Sequence, residues 1–271
     1  MAALLLTLAG LPRGDATAIA RDRAFVLPPY TIVELGTLGG LRAAPAAVNV
    51  FGAVVGYSET SSGANHATLW TPSGEIVDLK PTGGDSFATS INASGTIGGR
   101  LLTGGETQFG WPFEHAVVWS HGDLTDLTPG ESFAEVYGIN DVGTVTGSLK
   151  HSESDAAFAM VGRAGHPNQL LSTSYSSGSA INDRGASAGS LLVRAGTTVQ
   201  DHAALWANGR ETDLGTLPGF SSSFGSGIDI ENRVAGSRCA RTAACTQSSG
   251  VTVAWSISAP PPVRRVRSRS P

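Results

Sequence analysis

Apolar and polar residues alternate along this chain in short runs, and glycine-bearing turns separate the runs. Residues 132–171 show the pattern most plainly. Phe133, Val136, Tyr137 and Ile139 mark a first strand, Thr144, Val145 and Thr146 a second. Ala157, Phe158 and Met160 mark a third, and Leu170-Leu171 a fourth. Period-two alternation in runs this short predicts strands and not helices. Asn140-Asp141-Val142-Gly143 joins the first two runs. Asn first and Gly fourth is the signature of a type I turn, and in a hairpin that Gly can take left-handed backbone and form a bulge.

The same unit recurs five times. Its core is I/V-N-x-x-G-x-x-x-G, followed after a variable loop by H-A-x-x-W, and then by a D-L-x-x-x-G-G segment. Asn49, Asn92, Asn140, Asn182 and Asp229 hold the polar slot of the core and stand 43, 48, 42 and 47 residues apart. Third strands are expected at His66–Trp70, His115–Trp119 and His202–Trp206, with Ala156/Met160 and Val251/Trp255 in the same slots of the other two units. Fourth strands are expected to end at Asp78-Leu79, Asp126-Leu127 and Asp213-Leu214. A strand-rich repeat with a period near 45 predicts an all-β fold, a β-propeller of about five four-stranded blades. The blades would span about 41–79, 80–127, 128–171, 172–214 and 215–258.

The last unit lacks a D-L-x-x-x-G-G strand before Pro260-Pro261-Pro262. An orphan copy, Ile32-Val33-Glu34-Leu35-Gly36-Thr37-Leu38-Gly39-Gly40, stands at the other end. The expectation is that this N-terminal strand closes the last blade, so that residues 30–258 form one domain and no blade edge is left unpaired. Ser/Gly-rich first strands, such as Ser176–Ala180 and Ser221–Ser226, suit close approach to a narrow axis.

Composition adds limits. The net charge is −4, and four Arg fall in the last eight residues, leaving the rest near −8. Without a broad basic face, nucleic acid is not an expected partner. The apolar run Leu4–Leu11 is too short to span a bilayer, and no transmembrane segment is expected. Followed by Ala16-Thr17-Ala18, it reads as the core of a secretory leader within residues 1–29, although the basic n-region is missing. Secreted or periplasmic localisation follows from that reading. Cys239 and Cys245 share one loop, and in an exported protein could close a small disulfide. Residues 259–271, rich in Pro, Arg and Ser, read as a disordered tail.

The motifs D-L-G-T-L-G-G, I-N-x-x-G-x-x-x-G-x-S and H-A-x-x-W, recurring in fixed order over residues 30–256, resemble the HAF repeat of bacterial extracellular proteins. The resemblance implies export and a β-rich repeat fold, and it implies no assigned reaction. The chain departs from the pattern where His is absent from the third and fifth units and where Leu170-Leu171 replaces D-L.

For chemistry, residues in repeated slots are expected to serve the fold. His66, His115 and His202 hold one slot in different units, so symmetry separates them and a shared metal is not expected. Trp70, Trp119, Trp206 and Trp255 are expected to pack between blades, and Asp78, Asp126 and Asp213 to accept backbone hydrogen bonds. Unit-specific residues are the better site candidates. Asp85, Glu131 and Glu135 stand near the starts of inner strands, as the paired carboxylates of a glycosidase would. The long insertion carrying Phe109, Trp111, Phe113 and Glu114 is a candidate ligand surface. No nucleophile elbow, phosphate loop or zinc helix is present in the sequence, and no cofactor is expected. The balance favours a non-catalytic binding or scaffold module for an extracellular or envelope ligand, with a glycoside hydrolase or lyase as the alternative.

Overall fold

The computed structural model describes residues 32–80, 83–106, 110, 112–153, 155–240 and 253–255. The expected leader, the tail, Phe109, Trp111 and Cys245 lie outside the described residues. Among the described residues every regular element is a β-strand.

The first repeat forms β1 (Gly39–Val48), β2 (Val54–Thr60), β3 (Asn65–Trp70) and β4 (Ile76–Asp78). The second forms β5 (Ser86–Ile91), β6 (Ile97–Glu106), β7 (Pro112–Ser120) and β8 (Asp123–Asp126). The third forms β9 (Phe133–Ile139), β10 (Val145–Lys150), β11 (Phe158–Arg163) and β12 (His166–Leu170). The fourth forms β13 (Ser176–Ile181), β14 (Ser187–Ala195), β15 (Thr198–Ala207) and β16 (Arg210–Gly215). The fifth forms β17 (Phe220–Ile228), β18 (Val234–Ala240) and β19 (Val253–Trp255). Each repeat is an antiparallel meander in sequence order, and a single parallel bridge, Glu114 to Phe133, joins the second and third.

The repeat motif follows from backbone geometry. Asn140 O accepts from Gly143 N at 3.0 Å, closing the expected turn. Gly143 has φ 80°, a left-handed backbone natural to glycine, and in the fifth repeat Asn232 takes this place at φ 64°, as Asn tolerates better than most residues. The second Gly of the motif answers a different need. Every first strand carries a bulge opposite it, which drives a carbonyl toward that Gly. A Cβ built on Gly147 would stand 1.8 Å from Glu135 O, so no larger residue fits.

Apolar cores form between successive sheets. Trp119 packs with Val55, Ala67 and Val117, with Leu79 against them, between the first two repeats. Met160, in the Trp slot of the third repeat, is fully buried with Ala116 and Val118. Trp206 packs with Ala159 and Leu171, and Leu205 with Val234.

One expectation is not met. Among the described residues the last sheet has three strands and Ile32–Thr37 belongs to no sheet, so the described part of the N-terminal segment does not close the last blade in this structure. Its downstream half is instead held by the first repeat. Leu38 bridges Thr60, Leu38 N donates to Ser58 Oγ at 2.9 Å, and Gly36 O accepts Trp70 Nε1 at 2.9 Å.

Candidate functional site

The repeated polar residues are taken up by the fold. At the end of each first strand the motif Asn works in two directions. Asn140 Oδ1 accepts Thr144 N at 2.8 Å within its own turn, and Asn140 Nδ2 donates to Asn182 O of the next repeat at 2.9 Å. The same reach links Asn49 to Asn92 O, Asn92 to Asn140 O, and Asn182 to Asp229 O. A second rung runs beside it, where Ala93 N donates to Asp141 Oδ1 and Asp141 N to Asp183 Oδ1. The five turns and the aliphatics before them (Val48, Ile91, Ile139, Ile181, Ile228) surround one cavity of about 340 Å³.

The repeated histidines are likewise structural. His66, His115 and His202 place Nδ1 at 2.8, 2.7 and 2.9 Å from Asp78, Asp126 and Asp213. An ionised carboxylate only accepts, so Nδ1 carries the proton. The other oxygen of Asp78 and of Asp126 accepts a backbone N–H two residues on, from Lys80 and Thr128, whereas His202 meets both oxygens of Asp213 and Gly215 N shares one of them. Hydroxyls at the start of each next repeat, Ser86, Thr128, Ser176 and Ser223, accept from Ala67, Ala116, Ala159 and Ala203 N. Among the described residues no group of three or more His, Cys, Asp or Glu is placed to hold a metal ion.

The three candidate carboxylates have different partners. Asp85 is engaged by Asn65, whose N and Nδ2 donate to it at 2.9 and 3.2 Å. Glu131 pairs with the exposed His151 at 3.0 Å. Glu135 alone enters a larger cluster. It is 8% exposed and binds Arg100 Nη1 through Oε1. Its Oε2 accepts the Tyr137 hydroxyl at 3.0 Å. Arg100 Nε stands 3.4 Å from Glu114 Oε2, an ion pair without a hydrogen bond. The guanidinium lies over the Phe87 ring at 4.7 Å, and Phe87 meets Tyr57 edge-on at 5.2 Å. Glu114, from the predicted insertion, is therefore brought in, while Phe113 is half-buried beside it in sequence and its carbonyl accepts Thr103 Oγ1.

Burial and two neighbouring charges set the electrostatics of this cluster. Burial pushes the Glu114 carboxyl above its ordinary range, Arg100 opposes that, and Glu135 adds to it. Burial, and then the Glu135 carboxylate, push the Tyr137 phenol well above its usual range. Two carboxylates thus share one guanidinium in partly desolvated surroundings, with three aromatic rings close by.

Tyr57, Phe87, Arg100 and Tyr137 escaped the sequence reading, yet a signal existed. Tyr137 is the bulge residue of β9, a slot filled elsewhere by Ala46, Thr89, Ser179 and Ser226. Arg100 and Tyr57 follow the second motif Gly, where later repeats carry Ser148, Ser190 and Ser237. Bulges re-aim side chains and are common beside functional sites. Cys239 is disulfide-bonded, and Cys245 is the only other cysteine of the chain.

With that geometry in hand, comparison with known proteins bears on the fold alone. No family model and no curated protein matches the chain. Among solved structures, the chain is similar to the β-propeller domain of the Trilobed protease from Pyrococcus furiosus, described as having an open velcro topology, with a TM-score of 0.50 and 10% identity. The match covers 70% of this chain, and spans 60% of that one. The described residues are all-β, with a β-propeller domain as a structural neighbour. No helix among the described residues is long and apolar enough to cross a membrane.

Proposed function

We propose that this chain is an exported, non-catalytic binding or scaffold module, a five-bladed β-propeller of HAF-type repeats. Its ligand is a polysaccharide, an envelope component or a protein, met at the surface around Tyr57, Phe87, Arg100, Glu114, Glu135 and Tyr137. One observation carries the reading. Repeated polar residues are consumed by hydrogen bonds within and between sheets, whereas these six occupy slots that repetition does not explain, and they converge from three repeats on a single guanidinium. Aromatic faces beside a fixed Arg–Glu pair suit a polar ligand with an apolar face, such as a sugar ring. The D-L-G-T-L-G-G, I-N-x-x-G and H-A-x-x-W motifs and the leader-like N-terminus support export.

The test is a binding screen of the purified full chain against bacterial and plant glycans and envelope fractions. Saturable binding weakened at least tenfold by Tyr137→Ala or Arg100→Ala, in protein that still unfolds cooperatively above the assay temperature, is the expected outcome. Binding indifferent to both substitutions would refute the assignment of the surface.

A second reading is kept because Glu114 and Glu135 share Arg100 while burial raises the carboxyl of one of them, an arrangement that separates an acid from a base. A glycoside hydrolase or lyase on this scaffold would use Glu135. Hydrolysis of a polysaccharide that disappears in Glu135→Gln would favour it over the binding module.

A further inference from the structure

We propose that the outer edge of β19 is a docking site for Ile32–Leu35 of the same chain, which adds there as an antiparallel fourth strand and seals the ring. The proposal rests on the five-bladed reading of the fold and is independent of the ligand surface.

In three repeats the fourth strand meets the third in one register. Trp70, Leu69 and Thr68 pair with Ile76, Val77 and Asp78. Trp119, Val118 and Val117 pair with Leu124, Thr125 and Asp126. Trp206, Leu205 and Ala204 pair with Glu211, Thr212 and Asp213. β19 is placed on β18 as those third strands are placed on theirs. Trp255 pairs with Val234 as Trp70 pairs with Val54, Trp119 with Ile97 and Trp206 with Ser187. Nothing among the described residues pairs with its other side.

The segment that fits is on the page. Ile32-Val33-Glu34-Leu35 followed by Gly39-Gly40 repeats Ile76-Val77-Asp78-Leu79 followed by Gly83-Gly84, with identical spacing. Its two aliphatics are 70% and 64% exposed, the cost of leaving them undocked. Its downstream end is already seated. The Trp of each repeat faces the preceding sheet: Trp119 packs with Leu79 and Val55, and Trp206 with Leu171 and Ala159. By the same rule Trp70 marks the face of the first sheet that would meet the fifth in a sealed ring. Gly36 O accepts its indole N–H, so Leu35-Gly36 stands beside Trp70 much as Leu79 stands beside Trp119. Four residues upstream remain to add, in the register Trp255 to Ile32, Ala254 to Val33 and Val253 to Glu34. A paired edge also removes a template for aggregation.

Two measurements on the full chain test this. In Val33→Cys/Ala254→Cys, directly opposed positions of an antiparallel pair bring the two Cβ atoms within disulfide reach. Mild oxidation is expected to give a bond within one chain between residues 33 and 254, mapped by peptide mass. The offset pair Ile32→Cys/Ala254→Cys is expected to give none, because its side chains fall on opposite faces. No 33–254 bond, or one linking two chains, would overturn the docking. Separately, Ile32→Asp/Val33→Asp is expected to lower the melting temperature by about 3 °C or more, as loss of a kcal/mol or so does in a chain of this size. An unchanged melt would overturn it, since exposed, unpaired residues tolerate that change.

Discussion

Asn140→Asp is the smallest change that interrogates the ladder of motif asparagines. The two side chains are nearly isosteric, so Asp keeps the acceptor that closes the turn on Thr144 N at 2.8 Å. What disappears is the donor that reaches Asn182 O at 2.9 Å in the next repeat. Asn140 is 4% exposed, so water does not replace that donor. Losing the bond costs about 1 kcal/mol, and a buried carbonyl left facing a carboxylate about 1–3 more, giving roughly 2–4 kcal/mol in all. Asn49→Asp is the internal control. Its link to Asn92 O is longer, 3.2 Å, and only half-buried, so about 1 kcal/mol is expected. Urea unfolding followed by tryptophan fluorescence reads both, with stability taken from the midpoint at constant slope. A further signature separates the lost donor from a packing defect. Protonated Asp regains an O–H donor, so its folded pKa is raised, stability is retained at low pH, and it is lost as pH rises through that value. The deficit of Asn140→Asp should therefore narrow on acidification. Equal costs at positions 49 and 140, or a deficit indifferent to pH, would refute the ladder.

Other changes probe the remaining parts of the fold and the site. Gly147→Ala sets a Cβ 1.8 Å from Glu135 O, and should cost about 3 kcal/mol or more in the same unfolding assay. Asp126→Ala removes the acceptor of both His115 Nδ1 and Thr128 N, and should cost about 2 kcal/mol, whereas added zinc or a chelator should leave the wild-type melt unmoved. Glu114 has a raised folded pKa, so its carboxyl favours the fold when protonated and disfavours it as pH rises through that value. Glu114→Gln should accordingly flatten the fall in stability on the alkaline side of the ordinary carboxylate range, and parallel profiles for the two proteins would contradict this. Glu135→Gln should instead destabilise at neutral pH, because it leaves Arg100 with only the weaker partner at 3.4 Å.

The sequence disclosed what repeats. Four copies of I/V-N-x-x-G-x-x-x-G and a fifth with Asp229 and Asn232 place a turn, a left-handed residue and a bulge at regular intervals, and the first four each form four strands. The slots of His66, His115 and His202 were legible as equivalent, whereas the Asp that each one meets in its own sheet was not. The Asn side chain was legible only as a turn former. Its second bond, to the following repeat, depends on sheets stacking side by side, which no single motif encodes. In the last repeat Asp229 replaces Asn, and its carboxylate is held by Arg233 and by the N–H groups of its own turn.

What repeats least was hardest to read, and it is where function is best sought. Asp85, Glu131 and Glu135 looked alike in sequence because each precedes or opens an inner strand. They differ in their partners: Asn65 of the preceding repeat for the first, His151 of its own repeat for the second, and Arg100 of the preceding repeat with Tyr137 of its own strand for the third. A repeat protein balances identical interfaces, so any residue that breaks the repetition must be supported by others that break it nearby. Arg100 would leave a poorly solvated charge without Glu135 and Glu114, and those carboxylates would repel each other without Arg100. Tyr137 fits because a bulge lifts it from the ladder in a slot that otherwise holds small residues. The mutual dependence of these changes marks the junction of the second and third repeats as one specialised unit. A double-mutant cycle between Arg100→Met and Glu135→Gln should therefore show strong coupling, above about 1 kcal/mol, whereas Arg100→Met with Glu131→Gln should be additive.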